Sequence, residues 1–278
     1  MKIGCGTVNF RKYELERILP ALRKIGFEYF ETQSTGPGCP HVDLFKDDPQ
    51  ALVDLKNKYG FKAITGLWCK NGNFIANPEC VSSGIRCVEW AAAAGIPVVH
   101  MGDGNKPETM SDEDAWKALE ENLAPVFEVA KKNGVILAIE PHGAYSLTGD
   151  GLKKLLTLGT PDVLGVNYDG CNVFRAGYVE SNNNESGYKK LDTHGDEVEV
   201  LKMVADRVVH VHAKDIDKDG NCVALGTGLV KVKECVEYLK SVGYDGVVSV
   251  ETEGNDDFDD ALKLAKQSFD YLNSIING

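Results

Sequence analysis

Apolar residues recur along this chain in two alternating rhythms. A stretch with helical spacing ends in a glycine, and a short, near-continuous apolar run follows it. ALRKIGFEYFE (21–31) shows the unit, which returns in LKNKYGFKAITG (55–66), AAAAGIPVVHMG (91–102), AKKNGVILAIE (130–140) and LKSVGYDGVVSVE (239–251). The glycine suits the residue just past a helix end, where a left-handed backbone closes the helix without a Cβ penalty. Unbroken apolar runs belong to strands covered on both faces, and strand after helix after strand implies a parallel sheet. The pattern predicts strands near 2–7, 27–31, 62–67, 97–102, 135–140, 163–169, 208–213 and 247–251. Helices fall between them near 12–25, 48–59, 79–95, 111–133, 149–158, 195–206 and 229–242, with a last one from about 256 to 275. Ser111 followed by Asp114 resembles a capping box opening the fourth helix.

Eight strands alternating with eight helices point to a (β/α)8 TIM barrel, an α/β fold, as a single domain over 1–278. An open doubly wound sheet fits less well. The first strand, KIGCGTVNF, lacks the third glycine and the helix start of a dinucleotide-binding turn. Two connections are long, Gln33–Asp47 with GPGCPH and Asn172–Gly195 with ESNNNES. Both follow strand C-terminal ends, the rim where barrels of this kind carry their sites, so they read as lid or substrate loops.

Composition narrows the class. With 43% hydrophobic and 26% charged residues the chain reads as an ordinary globular protein. No apolar run is long enough to span a bilayer, and MKIGCGTVNF lacks the layout of a signal peptide, so the expected location is cytoplasmic. The eight cysteines form no CxxC pair and sit mostly in apolar runs, as reduced, buried thiols do. A net charge of −12 repels nucleic acid and anionic membrane, which leaves small molecules as partners. The rim loops also suit a homo-oligomer or a partner subunit that completes the pocket.

The ends of the later strands carry the chemistry. VILAIEPHG runs five apolar residues into Glu140 and His142; GVNYDG ends in Asp169; VVHVHAKD carries His210, His212, Lys214 and Asp215; VVSVETEG ends in Glu251. Residues two apart share a strand face. Glu140 therefore stands above Ala138, Asp169 above Asn167, His212 above His210 and Glu251 above Ser249. Four successive strands thus aim two glutamates, an aspartate and a histidine at one place. Three carboxylates so close repel one another unless a cation sits among them. Three oxygens and one imidazole suit manganese, magnesium, cobalt or, less ideally, zinc.

The contexts AIEPHG, NYDGCN, HVHAKD and SVETEG, in this order, resemble the sugar phosphate isomerase/epimerase superfamily with the xylose-isomerase-type barrel. Its members include ketose 3-epimerases, hydroxypyruvate isomerases, and inosose isomerases and dehydratases. LGTGLVKV (225–232) is similar to the family's glycine turn before its seventh helix. The resemblance implies metal ligands at Glu140, Asp169, His212 and Glu251, with Mn2+ the foremost candidate and Mg2+, Co2+ or Zn2+ as alternatives. It leaves His210 as a barrel residue one layer deeper. It also implies that Glu140 and Glu251 serve as acid and base on opposite faces of a ketose, a proton leaving the carbon beside the carbonyl and returning after an enediolate forms. The sequence departs from the ketohexose 3-epimerases at Asn172, where they carry histidine, and at Lys218, where they carry arginine. Both departures point away from a ketohexose.

Several further residues are candidates. His142 reads as a general base or substrate partner, or else as a loop histidine at the rim. Lys214 faces the site and suits a substrate oxygen, or a salt bridge to Asp215 or Glu253. His100 is a substrate contact or a hydrogen-bonded core histidine. Trp68 is a wall against a sugar ring or a core residue, and Asn172 stands where the epimerases grip substrate. Glu31 reads as an acidic residue near the pocket, and His41, His194 and Arg175 as loop residues.

The favoured reading is a divalent-metal-dependent isomerase or epimerase of a ketose, inosose or 3-keto sugar. The alternative on the same scaffold is a lyase, an inosose dehydratase or a C-glycoside-cleaving type. A non-catalytic sugar-binding subunit is a lesser reading. An endonuclease role would need more histidine ligands and a cationic groove.

Overall fold

Helix-terminating glycines and two-sided apolar strands build the closed barrel that their repetition predicts. The computed structural model describes residues 1–36, 38–39, 41–69, 72–175, 195–253 and 257–278. Eight strands, β1 (Lys2–Gly6), β2 (Tyr29–Gln33), β3 (Ala63–Trp68), β4 (Val98–Met101), β5 (Ile136–Ile139), β6 (Leu164–Asp169), β7 (Val208–Ala213) and β8 (Val247–Val250), pair in sequence order. All pairings are parallel, and β1 closes on β8.

Around them lie α1 (Leu15–Ile25), α2 (Pro49–Lys58), α3 (Cys80–Ala93), α4 (Asp112–Asn133), α5 (Gly149–Leu155), α6 (Gly170–Phe174), α7 (Glu197–Val204), α8 (Val232–Ser241) and α9 (Phe258–Ile276). Each glycine of the repeating unit has positive φ. Gly134, at φ 66°, caps α4 with its N–H on the last-turn carbonyls of Ala130 and Lys131. At the other end of α4 the expected capping box forms in part. Ser111 Oγ accepts from Asp114 N at 3.0 Å. The inward stripe of α4 is Ala115, Leu119, Leu123, Val126 and Ala130, all buried. Burying a leucine of this kind contributes about 1.5–3 kcal/mol. All eight cysteines are free thiols, and seven are buried.

Differences from the sequence expectation are local. The first predicted helix, 12–25, begins later, as α1 at Leu15, and a 3-10 turn at Thr7–Phe10 precedes it. α6 is unannounced by periodicity because it has only five residues, and it is nucleated by the Asp169 carboxylate accepting from Asn172 N. β5 and β8 end one residue before Glu140 and Glu251. Their backbone N–H groups still donate to Met101 O at 2.8 Å and Ala213 O at 2.9 Å, so both side chains keep strand register. Asn9 clasps the last strand to the first, donating to Val250 O at 3.0 Å and accepting from Thr252 N at 2.6 Å. It thereby brackets Glu251 on both sides.

Candidate metal centre

The four residues that the strand ends single out meet in one place. Glu140, Asp169, His212 and Glu251 each bring one ligand atom to within 4.8 Å of the others, and all four are buried. Register explains the convergence: Asp169 on β6 pairs with His212 on β7, and His212 pairs with Ser249, two residues below Glu251. His212 Nδ1 lies 3.0 Å from Glu140 Oε2 and 3.3 Å from Glu251 Oε2.

Lys214 enters the same cluster. Its ammonium, fully buried, lies 2.8 Å from Asp169 Oδ2, 2.6 Å from Glu251 Oε2 and 3.2 Å from Glu253 Oε1. Of the two salt bridges expected from sequence, the one to Glu253 forms. Asp215 is engaged elsewhere: its carboxylate accepts from the backbone N–H groups of Ile216, Gly226, Gly228 and Val230, and so folds the LGTGLVKV turn around itself. Gly228 permits that approach, since a Cβ there would lie 2.3 Å from Asp215 Oδ1.

Electrostatics separates the members of the cluster. Burial opposes charge on Lys214, but Asp169, Glu251 and Glu253 outweigh it and hold the ammonium well above its ordinary range. Burial likewise opposes charge on His212, and Glu251, Glu31 and Glu140 raise it well above the usual imidazole value. Burial pushes the Glu140 carboxyl up, with His212 only partly offsetting it. Burial acts on Glu251 in the same sense, yet His212 and Lys214 reverse it and hold that carboxyl below its ordinary value.

Two amides orient Glu140. Asn172 Nδ2 donates to its Oε1 at 2.8 Å, and Asn167 Nδ2 to its Oε2 at 3.0 Å. Asn172 thus grips a carboxylate of the cluster, a role its sequence position did not announce. At the mouth, exposed His142 packs edge-on against half-buried Trp68, ring centroids 5.8 Å apart. Trp68 is the last residue of β3 and belongs to the rim rather than the core. His142 is held by a relay that sequence did not reveal. Its N–H donates to Ser146 Oγ, which donates to buried Asp103 Oδ1 at 2.6 Å.

His100, read from sequence as either a substrate contact or a core histidine, lies in the core. It is 1% exposed and turned to Glu31, one layer below the carboxylates rather than at the substrate rim, because Gly66 beside it on β3 leaves the space. His41 likewise turns away from the rim, its ring nitrogens 2.9 Å from Thr7 Oγ1 and 2.9 Å from Tyr13 O. Arg175 is buried, with its guanidinium on Gly220 O at 3.1 Å. His194 and the ESNNNES run lie outside the described residues.

The donor set fits a divalent ion. Three carboxylates and one imidazole are hard-leaning ligands. Asp169 Oδ2, Glu251 Oε2 and Lys214 Nζ are buried and in contact, yet make no hydrogen bond of good geometry. Buried charges so placed are satisfied by ion pairing or by metal, not by a hydrogen-bond network.

Residues 19–275 match the family described as xylose isomerase-like TIM barrel. An uncharacterised protein of Methanocaldococcus jannaschii is 26% identical over 100% of this chain and 91% of its own length. The inosose dehydratase of Clostridium perfringens is 24% identical over 60% of this chain, and the match spans 57% of that enzyme. Among solved structures, a D-tagatose 3-epimerase-like protein superposes with TM-score 0.77 at 20% identity, covering 100% of this chain and 99% of the other. The IOLI protein, solved with a zinc atom bound, gives TM-score 0.77 at 17% identity, covering 99% and 98%. These structural likenesses show the fold.

Proposed function

The chain belongs to the xylose isomerase-like TIM barrel family, and from that premise we propose that it is a divalent-metal-dependent isomerase or epimerase of a polyhydroxylated ketone: a ketose, an inosose or a 3-keto sugar. The observation that carries this reading is the convergence of Glu140, Asp169, His212 and Glu251 at the barrel mouth. These four would hold the ion, with Mn2+ favoured by a set of three oxygens and one nitrogen. When bound, the ion supplies positive charge that lowers the cost of charge developing on a substrate carbonyl oxygen.

The proton chemistry belongs to the protein's own carboxylates. One of Glu140 and Glu251 removes a proton from the carbon beside the carbonyl, leaving an enediolate, and the other delivers a proton to the opposite face. Asn167 and Asn172 fix the Glu140 carboxylate for this work. Lys214 holds Glu251 and offers its ammonium to a substrate oxygen. Trp68 and His142 flank the entrance and contact the substrate's far side. His100, sealed below, supports the layer and touches no substrate. The surroundings suit a cytoplasmic enzyme of small carbohydrates or cyclitols: free thiols, a net charge of −12, and among the described residues no helix long and apolar enough to cross a membrane.

A lyase outcome is the second reading, and exposed His142 favours it. An imidazole at the mouth, backed by Asn172 Nδ2 at 3.5 Å, can protonate a leaving group that a two-carboxylate epimerase has no need to expel. Proton NMR in deuterated water, with Mn2+ and a panel of ketoses, inososes and keto-glycosides, tests both. Deuterium entering beside one carbonyl supports the isomerase, and loss of a β-substituent selects the lyase. No exchange with any member overturns the enzymatic reading.

A further inference from the structure

One layer deeper in the barrel, a second group of side chains converges. Glu31 of β2, His100 of β4, and His210 and His212 of β7 each place a ligand atom within 4.8 Å of the others. None is more than 4% exposed. Glu31 Oε2 lies 3.1 Å from His100 Nε2 and 3.4 Å from His210 Nε2, while Glu31 Oε1 lies 2.9 Å from His212 Nε2. Yet Glu31 Oε2 and both ring nitrogens of His100 make no hydrogen bond. Each buried polar atom left so costs about 1–3 kcal/mol.

The tautomer of His210 sharpens the point. Asn167 turns its Nδ2 to Glu140 Oε2, so its Oδ1 faces His210 Nδ1 at 3.0 Å. That nitrogen must carry the hydrogen, which leaves the lone pair of a neutral ring on Nε2, aimed toward the Glu31 carboxylate. Thr65 Oγ1, 3.4 Å from Nε2, directs its own hydrogen to Phe30 O. A lone pair facing a carboxylate in a dry interior is repulsive unless a cation lies between them. The second shell has the form that metal-binding histidines use, with the far ring nitrogen of His210 on an amide oxygen and Ser249 Oγ donating to Glu31 Oε1 at 2.8 Å. The fold also clears space for the group. A Cβ on Gly66 would stand 1.8 Å from His100 Nε2.

We propose that Glu31, His100, His210 and His212 form a second divalent-cation site beneath the carboxylate set, with His212 shared between them as an imidazolate, Nδ1 above and Nε2 below, its two ring protons released to solvent as the two ions bind. Three imidazoles and one carboxylate select Zn2+, Co2+ or a similar transition ion over Mg2+. The two sites therefore differ in preference, oxygen-rich above and nitrogen-rich below.

The test loads the chelator-stripped full chain with excess Co2+, removes loose metal, and reads ions per chain by elemental analysis and ligand type by visible absorption. The wild type is expected to hold about two ions and to show the strong absorption of low-coordinate, nitrogen-ligated Co2+. Asp169→Asn, which alters only the upper set, is expected to keep that band with about one ion fewer, whereas His100→Asn and His210→Gln lose the band and keep the upper ion. Absence of the band from both the wild type and Asp169→Asn overturns the site, and so does a band unchanged in His100→Asn. The wild-type spectrum decides even where a variant fails to fold. Failure of the upper site alone reads differently: the band persists and Asp169→Asn changes nothing.

Discussion

The two clusters that meet at His212 solve the same electrostatic problem in opposite ways. Above the ring, carboxylates predominate, and the chain supplies its own cation, the ammonium of Lys214. Below it, imidazoles surround the single carboxylate of Glu31, and that carboxyl is held well below its ordinary value against burial, chiefly by His212. The upper group opens toward exposed His142, and the lower group is sealed by the barrel wall. The contrast teaches that burial alone does not define a site. On the two metal sites proposed above, the upper group would exchange its ammonium for a divalent ion, and the lower would keep the ion it acquires.

Glu251→Gln breaks the comparison most severely. It removes the proposed acid/base carboxylate from the upper group while conserving shape, so isotope exchange into substrate is expected to fall by about 10²–10⁴-fold with circular dichroism unchanged. Wild-type exchange in this variant refutes the catalytic assignment.

Lys214→Met comes next. Removing one partner from a buried charge cluster costs about 3–5 kcal/mol, so the metal-free variant should unfold at much lower urea. Added Mn2+ should recover most of the loss, because the ion takes the place of the ammonium among Asp169 and Glu251. If stripping or adding metal leaves the variant's midpoint unmoved, the upper group does not exchange cations.

Gly66→Ala sharpens the comparison from below. The added methyl displaces His100, and overpacking of this kind costs about 1–3 kcal/mol. The histidine-rich group should be disturbed while the exchange rate at the upper group changes less. An unaltered melting curve would show that His100 has room to move.

The smallest effect concerns His41, which belongs to neither group. Burial lowers its pKa below 6.5, against the favourable contact to Tyr13 O. The folded chain then binds fewer protons than the unfolded chain in this window. Its stability increment is present above pH 6.5 and is lost as pH falls toward the depressed folded value. The wild type should therefore lose more stability than His41→Gln between neutral pH and mildly acidic pH; equal slopes in urea titrations refute this.

Much of the upper group was legible in sequence because its members lie on consecutive, hydrogen-bonded strands, β5 to β8, each announcing a charge after an apolar run. The lower group was not. β2, β4 and β7 are not neighbours, and their side chains meet only across the interior of a closed ring, at a depth that depends on register shifts between β2 and β3 and between β6 and β7. ITGLW offered one signal in Gly66, a gap on an otherwise bulky strand. Lys214 was seen to face the site, but its ion pair to Asp169 was not named, since it lies past the end of β7 where strand register no longer fixes a flexible side chain. Of the two salt-bridge partners offered for Lys214, Glu253 pairs and Asp215 does not, because a carboxylate that collects four backbone N–H groups depends on a turn whose shape no periodicity encodes.

The clasp made by Asn9 has a consequence for the birth of the protein. β8 is the last of the eight strands to leave the ribosome, and Glu251 is aimed only once Val250 and Thr252 engage Asn9, which follows the first strand. A nascent chain halted before that moment owns Glu140, Asp169 and His212 but lacks the second glutamate. On the proposed function, proton transfer would become available in a single final step, when the two ends of the ring join.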